Sequence, residues 1–171
     1  MTIGEFKIKV LPIRQKLYRF ALRMLGQQAE AEDITQDTFF KLWSKKNELS
    51  KYKSLEALAM TITKNLCLDK MKSHNRFQVD IVNAGNQEAP ENPYRQTEAK
   101  DSLRKVGAII NALPDQQKMI IQLRDIEGFE YEEIAEALDM QVNAIRVNLS
   151  RARKTVREQL IKTYDYGLKV N

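Results

Sequence analysis

Arginine and lysine carry most of the binding chemistry this sequence concentrates. Between Tyr131 and Arg157 an acidic segment gives way to a basic one, and Arg146, Arg151, Arg153, Lys154 and Arg157 decorate the second part. A second cluster joins Lys51 and Lys53 to Lys64, Lys70, Lys72, His74 and Arg76, with Tyr52 just ahead of it and Phe77 just behind. Guanidinium and ammonium groups neutralise phosphates, and arginine also forks onto guanine edges. Aromatic rings placed among them can stack on unpaired bases, or can equally be tucked into a core. Catalytic chemistry is thinly supplied. The one histidine, His74, and one cysteine, Cys67, build neither a zinc cluster nor a Cys–His nucleophile pair in the usual way. Glycine-rich phosphate loops and a G-x-S-x-G elbow are missing, so we expect a chain that is not an enzyme and uses no cofactor or metal.

The basic groups need elements to hold them. Ile134, Ala135 and Leu138 share one helical face, and Ala144, Ile145, Leu149 and Ala152 repeat at the same period beyond Asp139-Met140-Gln141. Two short helices crossing at small Ala135 make a helix-turn-helix, whose second helix presents its N-terminal residues to the DNA major groove. Two surface helices with a solvated basic face are the plainer alternative.

Toward the N-terminus, Leu17, Phe20, Ala21, Met24 and Leu25 mark a helix that Gly26 ends. A second helix is expected over 30–46, with acids first and lysines last, in line with its dipole. Ser54 caps a third, striped by Leu55, Leu58, Ala59, Ile62 and Leu66. Residues 77–100 hold two prolines, a glycine and no sustained period, which reads as a flexible linker. Helical pattern resumes at Asp101, restarts at Pro114-Asp115, stops at Gly128, and gives way to a polar tail after about Thr163. The expected fold is all-α: an N-terminal three- or four-helix bundle (1–76), a linker (77–100), and a C-terminal four-helix domain with the helix-turn-helix (101–171).

Charge supports this division. The net charge of +5 hides 15 basic against 8 acidic residues over 1–76, and 7 against 2 after Asp139. Acidic groups concentrate between, as expected of a polyanion binder that docks through defined surfaces. A single cysteine argues for a reducing compartment, and no apolar run reaches the ~20 residues of a membrane span. A cytoplasmic protein without direct membrane insertion is expected.

Three blocks, Leu17–Trp43, Ala59–Arg76 and Ala112–Leu160, resemble the bacterial sigma factors of RNA polymerase, within them the extracytoplasmic-function (ECF) group. The resemblance covers nearly the whole chain. It implies transcription initiation: binding of core RNA polymerase, recognition of promoter DNA as duplex and as melted single strand, and control by an anti-sigma factor. The resemblance places Asp33, Gln36 and Asp37 on the polymerase. It places Lys51, Tyr52, Lys53, Lys64, Asn65, Lys72 and Arg76 on the minus-ten element, and Arg146, Val147, Ser150, Arg151, Arg153 and Lys154 on the minus-thirty-five element. Leu58 stands where many members carry an aromatic, and Asp139 replaces a common turn glycine. A helix-turn-helix regulator acting without polymerase, or a helical protein-binding adaptor, are the alternatives the residues leave open.

Overall fold

The computed structural model describes residues 1–80 and 98–168, and no strand occurs among them. Thr2 opens helix α1 (Ile3–Val10) with a capping box: its Oγ1 accepts the Glu5 N–H, and its own N–H donates to Glu5 Oε2 at 2.8 Å. Pro12 sits in a 3₁₀ turn (Leu11–Ile13) that leads into α2 (Arg14–Leu25). Gly26, at φ 75°, ends α2 by donating its N–H to the Leu22 carbonyl. Helix α3 spans Gln28–Ser44, and α4 spans Leu55–Asp80, its start capped by Ser54 Oγ accepting from the Ala57 N–H at 3.1 Å.

These four helices bury Val10, Ile13, Leu17, Phe20, Ala21, Met24, Ala31, Ile34, Leu42, Met60 and Cys67. Full burial of a side chain such as Leu17 or Phe20 contributes about 1.5–3 kcal/mol. Thr38 and Thr63 meet in the middle at 3.0 Å between their Oγ1 atoms, and each hydroxyl also lies within hydrogen-bond distance of the carbonyl four residues earlier, so two hydroxyl protons are shared among three contacts.

Helix α5 (Glu98–Asn111) starts three residues before the expected position, and α4 runs into the segment expected as linker. The rest of that segment, 81–97, lies outside the described residues. Pro114 precedes α6 (Asp115–Ile121), which widens into a π-helical turn, Gln122–Ile126. Gly128 at φ 75° redirects the chain into α7 (Tyr131–Leu138). Asp139, in place of a turn glycine, takes the left-handed conformation (φ 52°, ψ 51°), and α8 (Val142–Leu168) follows, continuing as helix into the segment expected as a polar tail. The core of this half is Ile110, Leu113, Met119, Ile120, Leu123, Phe129, Ile134, Ala137, Ile145, Leu149 and Ala152.

The two halves do not stand apart. Their buried residues form one continuous apolar cluster, with α7 lying along α4 and α6 reaching α2.

Candidate polymerase and nucleic-acid interface

Helix α3 turns Ala31, Ile34, Thr35, Thr38 and Leu42 into the bundle. Its opposite side carries Asp33, Gln36, Asp37 and Phe40 at the spacing of one helix face, all exposed, with Phe40 72% exposed. Phe6 of α1 meets Trp43 edge to face at 5.0 Å between ring centroids. With Gln36, Phe39 and Phe40 these rings frame a shallow apolar groove of about 410 Å³ beside the carboxylates. The three polar residues expected to touch the polymerase therefore share one surface. Phe40 was absent from that expectation, although its place seven residues after Asp33 would have revealed it.

The expected minus-ten residues fall on the loop before α4 and on α4 itself. Leu49, buried in a 3₁₀ turn (Leu49–Lys51), anchors the loop, while Lys51, Tyr52 and Lys53 are exposed. On α4, Asn65, Lys72 and Arg76 are exposed and Lys64 is half-buried. Lys70 and His74 leave the basic cluster that the sequence suggested. They turn to Glu30 of α3, at 3.8 and 2.9 Å, and tie the end of α4 to the bundle. The side chain of Phe77 lies outside the described residues. Leu58 is buried, at 8% exposure.

The helix-turn-helix has the expected break. The Met140 N–H reaches the Ala135 carbonyl at 3.1 Å, and Ile134, Ala137, Ile145, Leu149 and Ala152 lock α7 to α8. That packing leaves Asn143, Arg146, Val147, Ser150, Arg151 and Lys154 exposed along α8. Asn148 instead bends back to the Ala144 carbonyl at 2.9 Å. Tyr131 orders two guanidinium groups over its ring, Arg124 at 4.5 Å and Arg146 at 5.0 Å.

Arg153 differs from its neighbours. Its Nε donates to Asp125 Oδ2 at 2.9 Å and its Nη2 to Asp125 Oδ1, a two-pronged pair that raises the arginine pKa still further. Thus Arg153 braces α8 against the π-helical turn, and no periodic signal announces a partner 28 residues earlier.

No group of three or more His, Cys, Asp or Glu side chains suited to a metal occurs among the described residues. Cys67 is 1% exposed, and burial pushes its thiol up to about 12, which suppresses the nucleophilic thiolate. Among the described residues no helix is long and apolar enough to cross a membrane.

Residues 10–77 match the family model for sigma-70 region 2, and residues 103–156 match that for sigma-70 region 4. The ECF RNA polymerase sigma factor SigE of Mycolicibacterium smegmatis is 30% identical over 152 residues, covering 86% of this chain and 58% of that protein. The probable RNA polymerase sigma factor RfaY of Xanthomonas campestris is 30% identical over 150 residues, covering 85% of this chain and 38% of that protein. The chain thus spans about half the length of these relatives. Among solved structures, the sigma factor RpoE of Bartonella quintana, in complex with the anti-sigma factor NepR, superposes with a TM-score of 0.77 at 27% identity, covering 92% of this chain and 98% of that one.

Proposed function

Because the chain belongs to the extracytoplasmic-function group of sigma-70 RNA polymerase sigma factors, we propose that it binds core RNA polymerase, directs it to particular promoters and opens them. The observation that carries this reading is the occurrence of both family matches, in order, on two helical halves whose exposed residues differ in chemistry. The α3 face, with Asp33, Gln36, Asp37 and Phe40, combines carboxylates with an apolar anchor and suits a basic protein surface. Residues 1–76 would hold the polymerase and the minus-ten strand. Lys51, Lys53, Lys64, Lys72 and Arg76 would follow phosphates, with Tyr52 and Asn65 at an unpaired base. Exposing that base costs a few kcal/mol, which these contacts offset.

Residues 101–171 would read the minus-thirty-five duplex. Arg146, Val147, Ser150, Arg151 and Lys154 form the exposed ridge of α8, and Arg153 holds that ridge in place through Asp125. The role is binding rather than catalysis, and it is exercised in the cytoplasm, where polymerase and promoter are found. An anti-sigma factor is the natural regulator, as the Bartonella relative was solved with one.

Purified protein added to core polymerase should co-elute with it and yield transcripts from defined starts on genomic templates. Absence of core binding, or starts no different from those of core alone, refutes the assignment. A palindromic footprint by the protein without polymerase would instead identify a conventional helix-turn-helix regulator.

A further inference from the structure

Arg23 of α2 is a half-buried cation whose partners are all neutral. Its Nε donates to Gln122 Oε1 at 3.0 Å, and its Nη1 to Asn111 Oδ1 at 2.7 Å and to the Gly107 carbonyl at 3.3 Å. One turn earlier, Arg19 has its counter-charge: Nε donates to Glu127 Oε1 at 2.8 Å and Nη2 to Glu127 Oε2 at 2.6 Å. The π-helical turn aims Gln122 and Glu127 at α2, the Glu127 N–H bonding the Gln122 carbonyl five residues back. The two arginines consequently shift in opposite directions. The Glu127 carboxylate raises the Arg19 pKa, whereas burial lowers that of Arg23, which has no carboxylate to offset it. Glu127 is already engaged, its buried oxygens holding the Arg19 fork and, at 3.1 Å, the Gln122 amide. Asp125 is taken by Arg153.

Beside Arg23 lies a cavity of about 410 Å³, walled by Arg19, Leu22, Arg23, Asn111, Gln122 and Ile126. The polar side-chain groups left over in that wall are donors. Arg19 Nη1 and Arg23 Nη2 have no hydrogen-bond partner among the described residues. Asn111 accepts from Arg23 through Oδ1, which leaves its Nδ2 amide to donate. Gln122 is occupied at both ends, Oε1 with Arg23 and Nε2 with Glu127. Two guanidinium groups against the single carboxylate of Glu127 leave one positive charge over, and a half-buried charge without a counter-ion is costly.

We propose that this cavity binds a phosphate monoester of a small organic molecule, its phosphate oxygens accepting from Arg19 Nη1, Arg23 Nη2 and Asn111 Nδ2. A phosphate group presents three acceptor oxygens in a tetrahedral array and so can meet donors from three side chains, where a carboxylate offers two oxygens in one plane. The phosphate fills only part of the space. Leu22 and Ile126 supply apolar wall for an organic body, and the volume falls in the ordinary range of small-molecule sites. None of the residues assigned to polymerase or promoter lines this cavity, so the site stands apart from those surfaces and does not depend on their roles. Donors come from α2 and from the end of α5, so one ligand touches both halves of the chain, and its binding adds to the stability of the folded protein.

The test titrates ribose 5-phosphate, inorganic phosphate and acetate into the full chain at constant ionic strength. Ribose 5-phosphate should move the backbone amide signals around Arg23 and Asn111 in ¹H–¹⁵N NMR spectra along one saturation curve. At about one hundred times its Kd it should raise the melting temperature by roughly 5–10 °C. Inorganic phosphate should move the same signals with weaker affinity, and acetate should be weaker still. Arg23→Gln removes the surplus charge and should weaken ribose 5-phosphate about tenfold or more. Arg23→Lys, which keeps the charge, should retain part of the affinity. Asn111→Asp brings the chain's own carboxylate to Arg23 and should abolish binding, with helix content by circular dichroism unchanged. No saturable shift up to about 10 mM ribose 5-phosphate overturns the proposal. So do shifts confined to the exposed basic residues of α4 and α8, an affinity unchanged in folded Arg23→Gln, or acetate binding as tightly as phosphate.

Discussion

Arg153 offers a sharp test of how α8 divides its labour. Its pair with Asp125 is two-pronged, but the side chains remain 48% and 32% exposed, so solvent and salt screen much of the attraction. Exposed pairs contribute about 0.2–1 kcal/mol, and the fork geometry puts this one near the top of that range. In a chain of this length about 1 kcal/mol moves the melting temperature by roughly 2–4 °C. Arg153→Ala and Asp125→Ala should each lower the melting temperature by that amount, and the double variant by no more than either alone. Binding of the polymerase complex to upstream promoter duplex, titrated over salt, should keep its slope in Arg153→Ala. Arg151→Ala should leave the melting temperature in place. It should also either flatten the slope by about 0.9, as a lost phosphate contact does, or cost about 1–3 kcal/mol on one sequence only, as a lost base contact does. If Arg153→Ala weakens DNA binding as Arg151→Ala does while Asp125→Ala has no effect, the bracing role is wrong.

Three further outcomes concern stability. Thr38→Val or Thr63→Val alone should cost about 1 kcal/mol in urea unfolding, and the pair together less than the sum, because their hydroxyls meet at 3.0 Å. Burial raises the Cys67 thiol to about 12 from an ordinary 9.0. The unfolded chain therefore releases this proton first, and the stability due to Cys67, whole below pH 9, declines from about pH 9 to 12. The decline is at most ~1.4 kcal/mol per pH unit. Cys67→Ala should remove that component from a pH series of denaturation curves. Gly128→Ala meets no neighbour within 4 Å, yet φ 75° is unfavourable for a side chain. A loss of about 1–2 kcal/mol, read as a lower urea midpoint with unchanged slope, is expected.

Local features were the legible ones. Gly26, Gly128 and Asp139 each act within a few residues of themselves, as does Ser54 in its role as a helix cap, and each does what its type predicts. Asp33, Gln36 and Asp37 fall on one face because helical spacing places them there. What escaped depends on residues far apart in the chain. Arg19 and Arg23 read as ordinary surface arginines of a helix, and nothing in their neighbourhood announces Glu127 or Gln122 some hundred residues later. The π-helical turn that aims those two is likewise invisible to a 3.6-residue period. Lys70 and His74 counted toward a basic cluster for the same reason: Glu30 lies on another helix.

The packing of α7 along α4 also has an order in time. A ribosome releases the chain from its N-terminus, at about 5–20 residues per second in the general case. Leu138, the end of α7, is 58 residues beyond Asp80, where α4 ends. For roughly 3–12 s of synthesis, at those rates, the first bundle is complete while α7 has yet to reach its α4. In that interval the nascent bundle offers an apolar surface that the finished protein has put away.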